Sequence, residues 1–203
     1  MRRWQQSVWL AAALALAATA GAAARQRDHW IALFNGKDLT GWHLRVPTAH
    51  NGWSVDHGLL VNQTPSTDLV SDQKFQDFDI HYEYLYPPGS NSGVYLRGRY
   101  EIQIQDDYGK APESHINGAI YGLVTPRSNP TKPAGQWQTV DARIKGNQAT
   151  VVLNGVHIIN HAPLAHPTGG ALDDQVGEPG PIMLQGDHGP ITFRNLRVRP
   201  IGG

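Results

Sequence analysis

Four short stretches of this chain place hydrogen-bonding side chains at every second position. In Tyr100–Asp106, Glu101, Gln103 and Gln105 alternate with Ile102 and Ile104. In Gly93–Arg97, Tyr95 and Arg97 oppose Val94 and Leu96. In Ile182–Asp187, Met183, Gln185 and Asp187 oppose Ile182 and Leu184. In Phe78–Tyr86, Asp79, His81 and Glu83 oppose Phe78, Ile80, Tyr82, Tyr84 and Tyr86. A period of two sends alternate side chains to opposite faces of a strand, so each stretch has one apolar and one polar face. If these strands are neighbours in one curved sheet, the polar faces merge into a groove. Carboxylates and amides there would hold hydroxyl groups, and aromatic rings would pack on C–H faces. A merely solvated sheet face shows the same alternation. The residue types favour a site: the faces are rich in Glu, Gln, Arg, Tyr and His and nearly lack Lys.

The chain has 10 histidines. His188 lies in Gln185-Gly-Asp-His-Gly189, with a carboxylate directly before it. Histidine is the usual general acid or base near neutrality. A turn histidine with its ring in water would carry the same sequence. Two connections, Asp107–Asn117 and His161–Pro181, are longer than hairpin turns, and such loops are often functional. The second, with Asp173, Asp174 and Glu178, reads equally well as a solvated excursion. Around the first, Asp106, Asp107, Glu113 and His115 supply donors, so a divalent ion at Asp106 is one expectation. The sequence contains no H-x-H, H-E-x-x-H or calcium-loop string, no serine nucleophile elbow and no phosphate loop. No other cofactor is indicated.

The elements that must position these residues are strands. The 22 glycines and 14 prolines punctuate short alternating runs, the pattern of an antiparallel all-β domain. Eleven strands are expected: Gly58–Asn62, Leu69–Ser71, Phe78–Tyr86, Gly93–Arg97, Tyr100–Gln105, Ala119–Leu123, Gln138–Lys145, Gln148–Leu153, Val156–Asn160, Ile182–Gly186 and Ile191–Arg199. Lys145-Gly-Asn147 and Asn154-Gly155 are hairpin turns. Strands without helices imply a sandwich of two sheets, because an open sheet would leave an apolar face wet. Trp42, Trp53 and Trp137 adjoin apolar partners at element boundaries and are expected to be buried.

Residues 1–24 read as an export signal: Arg2 and Arg3, an apolar run from Val8 to Ala20, and Ala22-Ala-Ala24 before Arg25. Residues 25–203 then form a single domain, periplasmic or secreted, with no stable membrane insertion once the signal is removed. The chain has 0 cysteines, so its core must hold it together without disulfides. The charges balance at 17 basic and 17 acidic residues. With no basic cluster, nucleic acid is excluded as a partner and an anionic membrane is disfavoured. A small neutral carbohydrate fits better.

The ordered motifs Trp30-Ile-Ala-Leu-Phe-Asn-Gly-Lys-Asp-Leu-Thr-Gly-Trp42, Phe75-Gln-Asp-Phe-Asp79, Asn91-Ser-Gly-Val-Tyr-Leu-Arg97, Tyr100-Glu-Ile-Gln-Ile-Gln-Asp106, Gly118-Ala-Ile-Tyr121, Pro133-Ala-Gly-Gln-Trp137, Leu153-Asn-Gly155, Gly180-Pro-Ile-Met-Leu-Gln185 and Phe193-Arg-Asn-Leu196 resemble the 3-keto-disaccharide hydrolase family. The resemblance covers roughly residues 28 to 200. It implies a concanavalin A-like jelly-roll β-sandwich of two antiparallel sheets, with the His188 block at the mouth of its groove. It also implies cleavage of 3-keto-glycosides. In such a sugar the ketone acidifies C2–H, and the glycosidic oxygen lies β to the carbonyl. A base at C2, elimination and rehydration then give net hydrolysis. On that reading His188 or Glu101 is the base, and Arg97 holds the enolate. Gln103, Gln185 and Tyr121 position substrate, Asp187 or Asp106 orients the base or binds an ion, and Glu83 and Tyr95 line the groove. The alternative is a non-catalytic lectin-like module, since the fold does not settle function.

Overall fold

The computed structural model describes residues 29–63 and 66–202. The export-signal expectation lies outside the described residues. The strands are β1 (Ile31–Ala32), β2 (Trp42–Leu44), β3 (Trp53–Asp56), β4 (Leu59–Asn62), β5 (Leu69–Phe75), β6 (Phe78–Leu85), β7 (Asn91–Leu96), β8 (Tyr100–Gln105), β9 (Gln138–Lys145), β10 (Gln148–Leu153), β11 (Val156–Pro163), β12 (Gly180–Leu184) and β13 (Ile191–Pro200). They form two antiparallel sheets. One runs β11-β10-β9-β6-β13-β4-β3, with β1 added on β13; the other runs β2-β5-β12-β7-β8.

The alternation seen in the sequence decides which faces meet. Phe78, Ile80, Tyr82 and Tyr84 of β6 are buried, as are Val94, Leu96, Ile102, Ile104, Ile182 and Leu184 of the smaller sheet, all in one core. Each large apolar side chain buried there stabilises the sandwich by about 1.5–3 kcal/mol. The stacked tyrosines carry polar ends that need partners. Tyr84 donates to Asn117 Oδ1 at 2.8 Å, and Asn117 in turn donates from its amide nitrogen to Thr131 Oγ1. The Asn117 backbone N–H donates to Asp107, so the 107–117 loop is anchored at both ends by buried groups.

Four expectations need correction. Ala119–Leu123 is not a strand. Its chain turns at Gly118 and Gly122, both with φ above +60°, and covers the outer edge of β8 through bonds from Gln103 N to Ala119 O and from Tyr121 N to Glu101 O. The N-terminal strands β1, β2 and β3 are of two to four residues, too short to show a period. Trp137 is only half-buried, with the Arg194 guanidinium 3.9 Å from its ring centroid, whereas Trp42 and Trp53 are buried. Finally, β6 belongs to the larger sheet, so its polar face does not join those of β7, β8 and β12.

Candidate functional site

The smaller sheet turns its coreless face outward, and strand register sets the side chains on it in rows. One row runs His43, Val70, Met183, Tyr95 and Glu101, each directly opposite the next. The row beside it runs Arg45, Asp68, Gln185, Gly93 and Gln103, through bonds from Arg45 N to Asp68 O and from Gln185 N to Gly93 O and the pairing of Gly93 with Gln103. At ~4.8 Å per strand, the five strands span about 19 Å. Within this face lies a cleft of about 260 Å³. Glu101, Gln103, Gln185 and Tyr95 line it from the sheet. Asp187 and His188 come from the loop after β12, and Tyr121 from the segment that covers the edge of β8.

Gly93 makes the cleft. A Cβ there would fall 2.1 Å from Glu101 Oε1, so the missing side chain is the space into which the carboxylate folds. Glu101 is 3% exposed. Its Oε2 accepts from the Tyr95 hydroxyl at 2.9 Å, and its Oε1 has no partner. Burial pushes the carboxyl up to about 7, despite the Tyr95 hydrogen bond and the nearby His188, which both favour the charged form. Burial, with the Glu101 charge beside it, raises the Tyr95 phenol far above its ordinary range. Among the described residues, five buried side-chain polar atoms lack a partner. Three of them, Glu101 Oε1, Gln103 Oε1 and Gln185 Oε1, belong to this cleft. Unpaired buried acceptors are costly unless a ligand supplies donors, and sugar hydroxyls are such donors. On the rim, the His188 ring is held by the Asp187 carboxylate through Nδ1, which leaves Nε2 toward solvent or ligand. Both side chains are roughly half exposed.

Residues 168–172 of the second long loop form a strap tied to the sheet, and 173–179, with Asp173, Asp174 and Glu178, are exposed to solvent. Thr168 Oγ1 accepts from Glu101 N, Gly169 O lies 2.9 Å from the Tyr95 hydroxyl, and Leu172 packs on Val70, Tyr95 and Met183. Arg45 donates to the carbonyls of Gly170 and Ala171 and to Asp68, tying the strap to the far edge of the sheet. The buried Arg99 guanidinium pairs with Asp173 and donates to Glu178 O. A Cβ on Gly170, at φ +76°, would fall 2.5 Å from the Tyr95 oxygen, so only glycine lets the strap lie this close.

Of the residues singled out in the sequence, the structure brings Glu101, Tyr95, Gln103, Tyr121, Gln185, Asp187 and His188 together. Three lie elsewhere. Arg97 is buried at the end of β7, where φ is +54° and the alternation is broken. It donates to Gln76 O, Gly146 O and Asp77 and cannot hold an enolate in the cleft. Glu83 lies on the outer face of the larger sheet, bound by Arg194 and Asn195. Asp106 accepts from Gly89 N and serves a turn. Asp107 is taken by Lys110 and Asn117, and no group of three or more carboxylate or imidazole side chains converges among the described residues. The donor set for an ion at Asp106 is therefore not formed there.

A 3-keto-alpha-glucoside-1,2-lyase-like domain description matches residues 29–199. The chain belongs to this family. A 3-keto-disaccharide hydrolase from Bacteroides thetaiotaomicron is 23% identical over 165 residues, 62% of this chain and 55% of that protein. The chain thus spans about half the length of that relative. A candidate glycosyl hydrolase from Parabacteroides distasonis, solved at 2.13 Å, is 31% identical, with a TM-score of 0.72 over 85% of this chain and 84% of that one. The chain also superposes on the β-glucanase of Bacillus licheniformis, with a TM-score of 0.53 over 86% of this chain and 98% of that one. At 14% identity this likeness shows the glucanase-like, concanavalin A-like fold alone.

Arg45, Asp68, Asn91 and the Gly169-Gly170 strap also line the cleft, and sequence reasoning missed them. The signal available for the strap was the Gly169-Gly170 pair inside a long loop. For Arg45 there was none, because β2 is three residues long.

Proposed function

We propose that this chain cleaves 3-keto-glycosides by taking the proton from C2. The observation that carries the reading is Glu101: a buried carboxyl held on one oxygen by Tyr95, with the other unpartnered among orphaned amide acceptors. A carboxyl raised to about 7 is a stronger base than an ordinary one, yet is still substantially ionised at neutral pH. The family description, a 1,2-lyase-like domain, supports breakage of C1–O and C2–H.

In this reading Glu101 takes the C2 proton and the C–H electrons form an enolate. The enolate's charge builds near the Arg45 guanidinium, a wall of the cleft, which takes the place expected of Arg97. Gln103 and Gln185 align ring hydroxyls. The enolate then expels the C1 substituent, and His188, oriented by Asp187, gives a proton to the departing oxygen. Water then adds at C1, its proton restoring His188, and Glu101, its acid proton exchanged with solvent, delivers a proton to C2 to complete hydrolysis.

The test is turnover of a 3-keto-glucoside in heavy water. We expect deuterium at C2 of the product and a C2-deuterated substrate that reacts no faster than the protiated one. Complete retention of C2–H through turnover would rule out elimination. Sugar binding without turnover of any keto-glycoside would favour the lectin-like reading.

A further inference from the structure

We infer that the leaving-group half of the substrate docks in a second cleft beside the first, built to take a ring of pyranose or aryl size with few polar demands. The inference rests on the proposed C2 chemistry in the Glu101 cleft. A cleft of about 400 Å³ lies on the β2–β5 side of the same sheet face, lined by Val46, Ala49, His50, Ser66 and Thr67. It shares Arg45, Asp68 and Asp187 with the Glu101 cleft, so the two adjoin at these residues. His188, the group assigned to the leaving oxygen, follows Asp187 directly at that junction.

The two clefts differ in chemistry. The first is floored by a carboxyl and two amides with orphaned acceptors. The second has no amide, and the two carboxylates it touches are the shared ones. Asp68 is already taken by Arg45 and by Gly186 N, and Asp187 by His188. Its own lining is Val46, Ala49, a threonine, a serine and the His50 imidazole. Val46 is 47% exposed, among the few large apolar side chains left open on the surface. Such walls pack against C–H faces and arenes without fixing hydroxyl positions. The first cleft therefore reads the keto ring closely, and the second accepts varied leaving groups.

The walls of the second cleft are fixed. Gly52 N donates to Ser66 Oγ at 3.0 Å, Trp53 Nε1 donates to Thr67 O at 2.8 Å, and Arg45 N donates to Asp68 O at 2.8 Å. Ala49 N closes a turn on Val46 O.

The experiment compares 3-ketotrehalose with methyl 3-keto-α-glucoside in wild type, Ala49→Trp and Val46→Trp. The substrates share the keto ring and differ in the leaving group. We expect the ratio of kcat/KM, ketotrehalose over the methyl glycoside, to fall at least tenfold in both variants. An unchanged ratio in both variants overturns the inference. In parallel, saturation-transfer NMR with glucose should show binding to wild type that Ala49→Trp abolishes. No binding to wild type, or binding that survives the substitution, also overturns it. If wild type turns over neither keto-glycoside, the reading of the Glu101 cleft fails, and the glucose measurement alone still decides the second cleft.

Discussion

Replacing Glu101 with glutamine should stabilise this protein while disabling it. The carboxyl sits at about 7 in the fold against an ordinary 4.5. Between those values the unfolded chain has lost the proton and the folded chain keeps it. The carboxyl's contribution to stability is thus greatest below pH 4.5, falls as pH rises, and levels off above 7. A difference of roughly 2.5 pKa units is worth about 3 kcal/mol at 1.36 kcal/mol per unit. About 2.5 kcal/mol of that is lost between pH 5 and pH 8. Glu101→Gln has nearly the same shape and no charge to bury, so it escapes this loss. The gap in stability between variant and wild type should therefore widen in the variant's favour by about 2.5 kcal/mol from pH 5 to pH 8. For a domain of this size that is a differential rise in Tm of about 5–10 °C. Urea unfolding at the two pH values measures it, and the other titrating groups cancel in the comparison. In the same samples turnover of a 3-keto-glucoside should fall about 10²–10⁴-fold, the usual range for loss of a general base. A gap equal at both pH values would refute the claim that burial raises this carboxyl. Full activity in the variant would refute its role as the base.

Three further outcomes follow from the geometry. With the ionised Glu101 carboxylate as the proposed base, kcat/KM should fall on the acidic side of about pH 7, in a pH profile of the wild type. Gly93→Ala should lower turnover by about 10²-fold or more, since its methyl occupies the place of Glu101 Oε1; circular dichroism would show the sandwich intact, and near-normal turnover would contradict the packing. Arg97→Ala should destabilise the fold by about 3 kcal/mol, because it leaves Asp77 without its buried partner, while kcat per folded molecule is retained; a selective loss of kcat without loss of stability would return Arg97 to the chemistry.

The sequence disclosed faces more readily than sheets. Glu101, Gln103 and Tyr95 were placed on the right face by a period of two because β7 and β8 pair in unbroken register with their apolar partners toward the core, and for Gln185 the alternation carries one residue past β12. Glu83 has the same pattern and was misplaced. Alternation says that a side chain turns away from the core, and in a sandwich both sheets have such a face. Arg97 was misplaced for a local reason: its positive φ ends the alternation one residue after Leu96. Arg45 and the 168–172 strap were missed because what positions them is pairing between residues far apart in the chain, as in the bond from Arg45 to Gly170 O, 125 residues away. Two-residue turns such as Asn154-Gly155 were legible, because only a few residue types tolerate their backbone.

One hydroxyl deserves a proton count. The Tyr95 oxygen lies 2.9 Å from both Glu101 Oε2 and Gly169 O, yet it carries a single hydrogen. When Glu101 is ionised, the carboxylate claims that hydrogen and the Gly169 carbonyl loses its donor. When Glu101 holds a proton on Oε1 the carboxyl is neutral, its pull on the Tyr95 hydrogen weakens, and that hydrogen can turn to Gly169. The rotor thus reports the charge at the base to the strap above it. On the proposed mechanism, each proton taken from substrate would free the Tyr95 hydrogen for the strap, and each proton returned would draw it back.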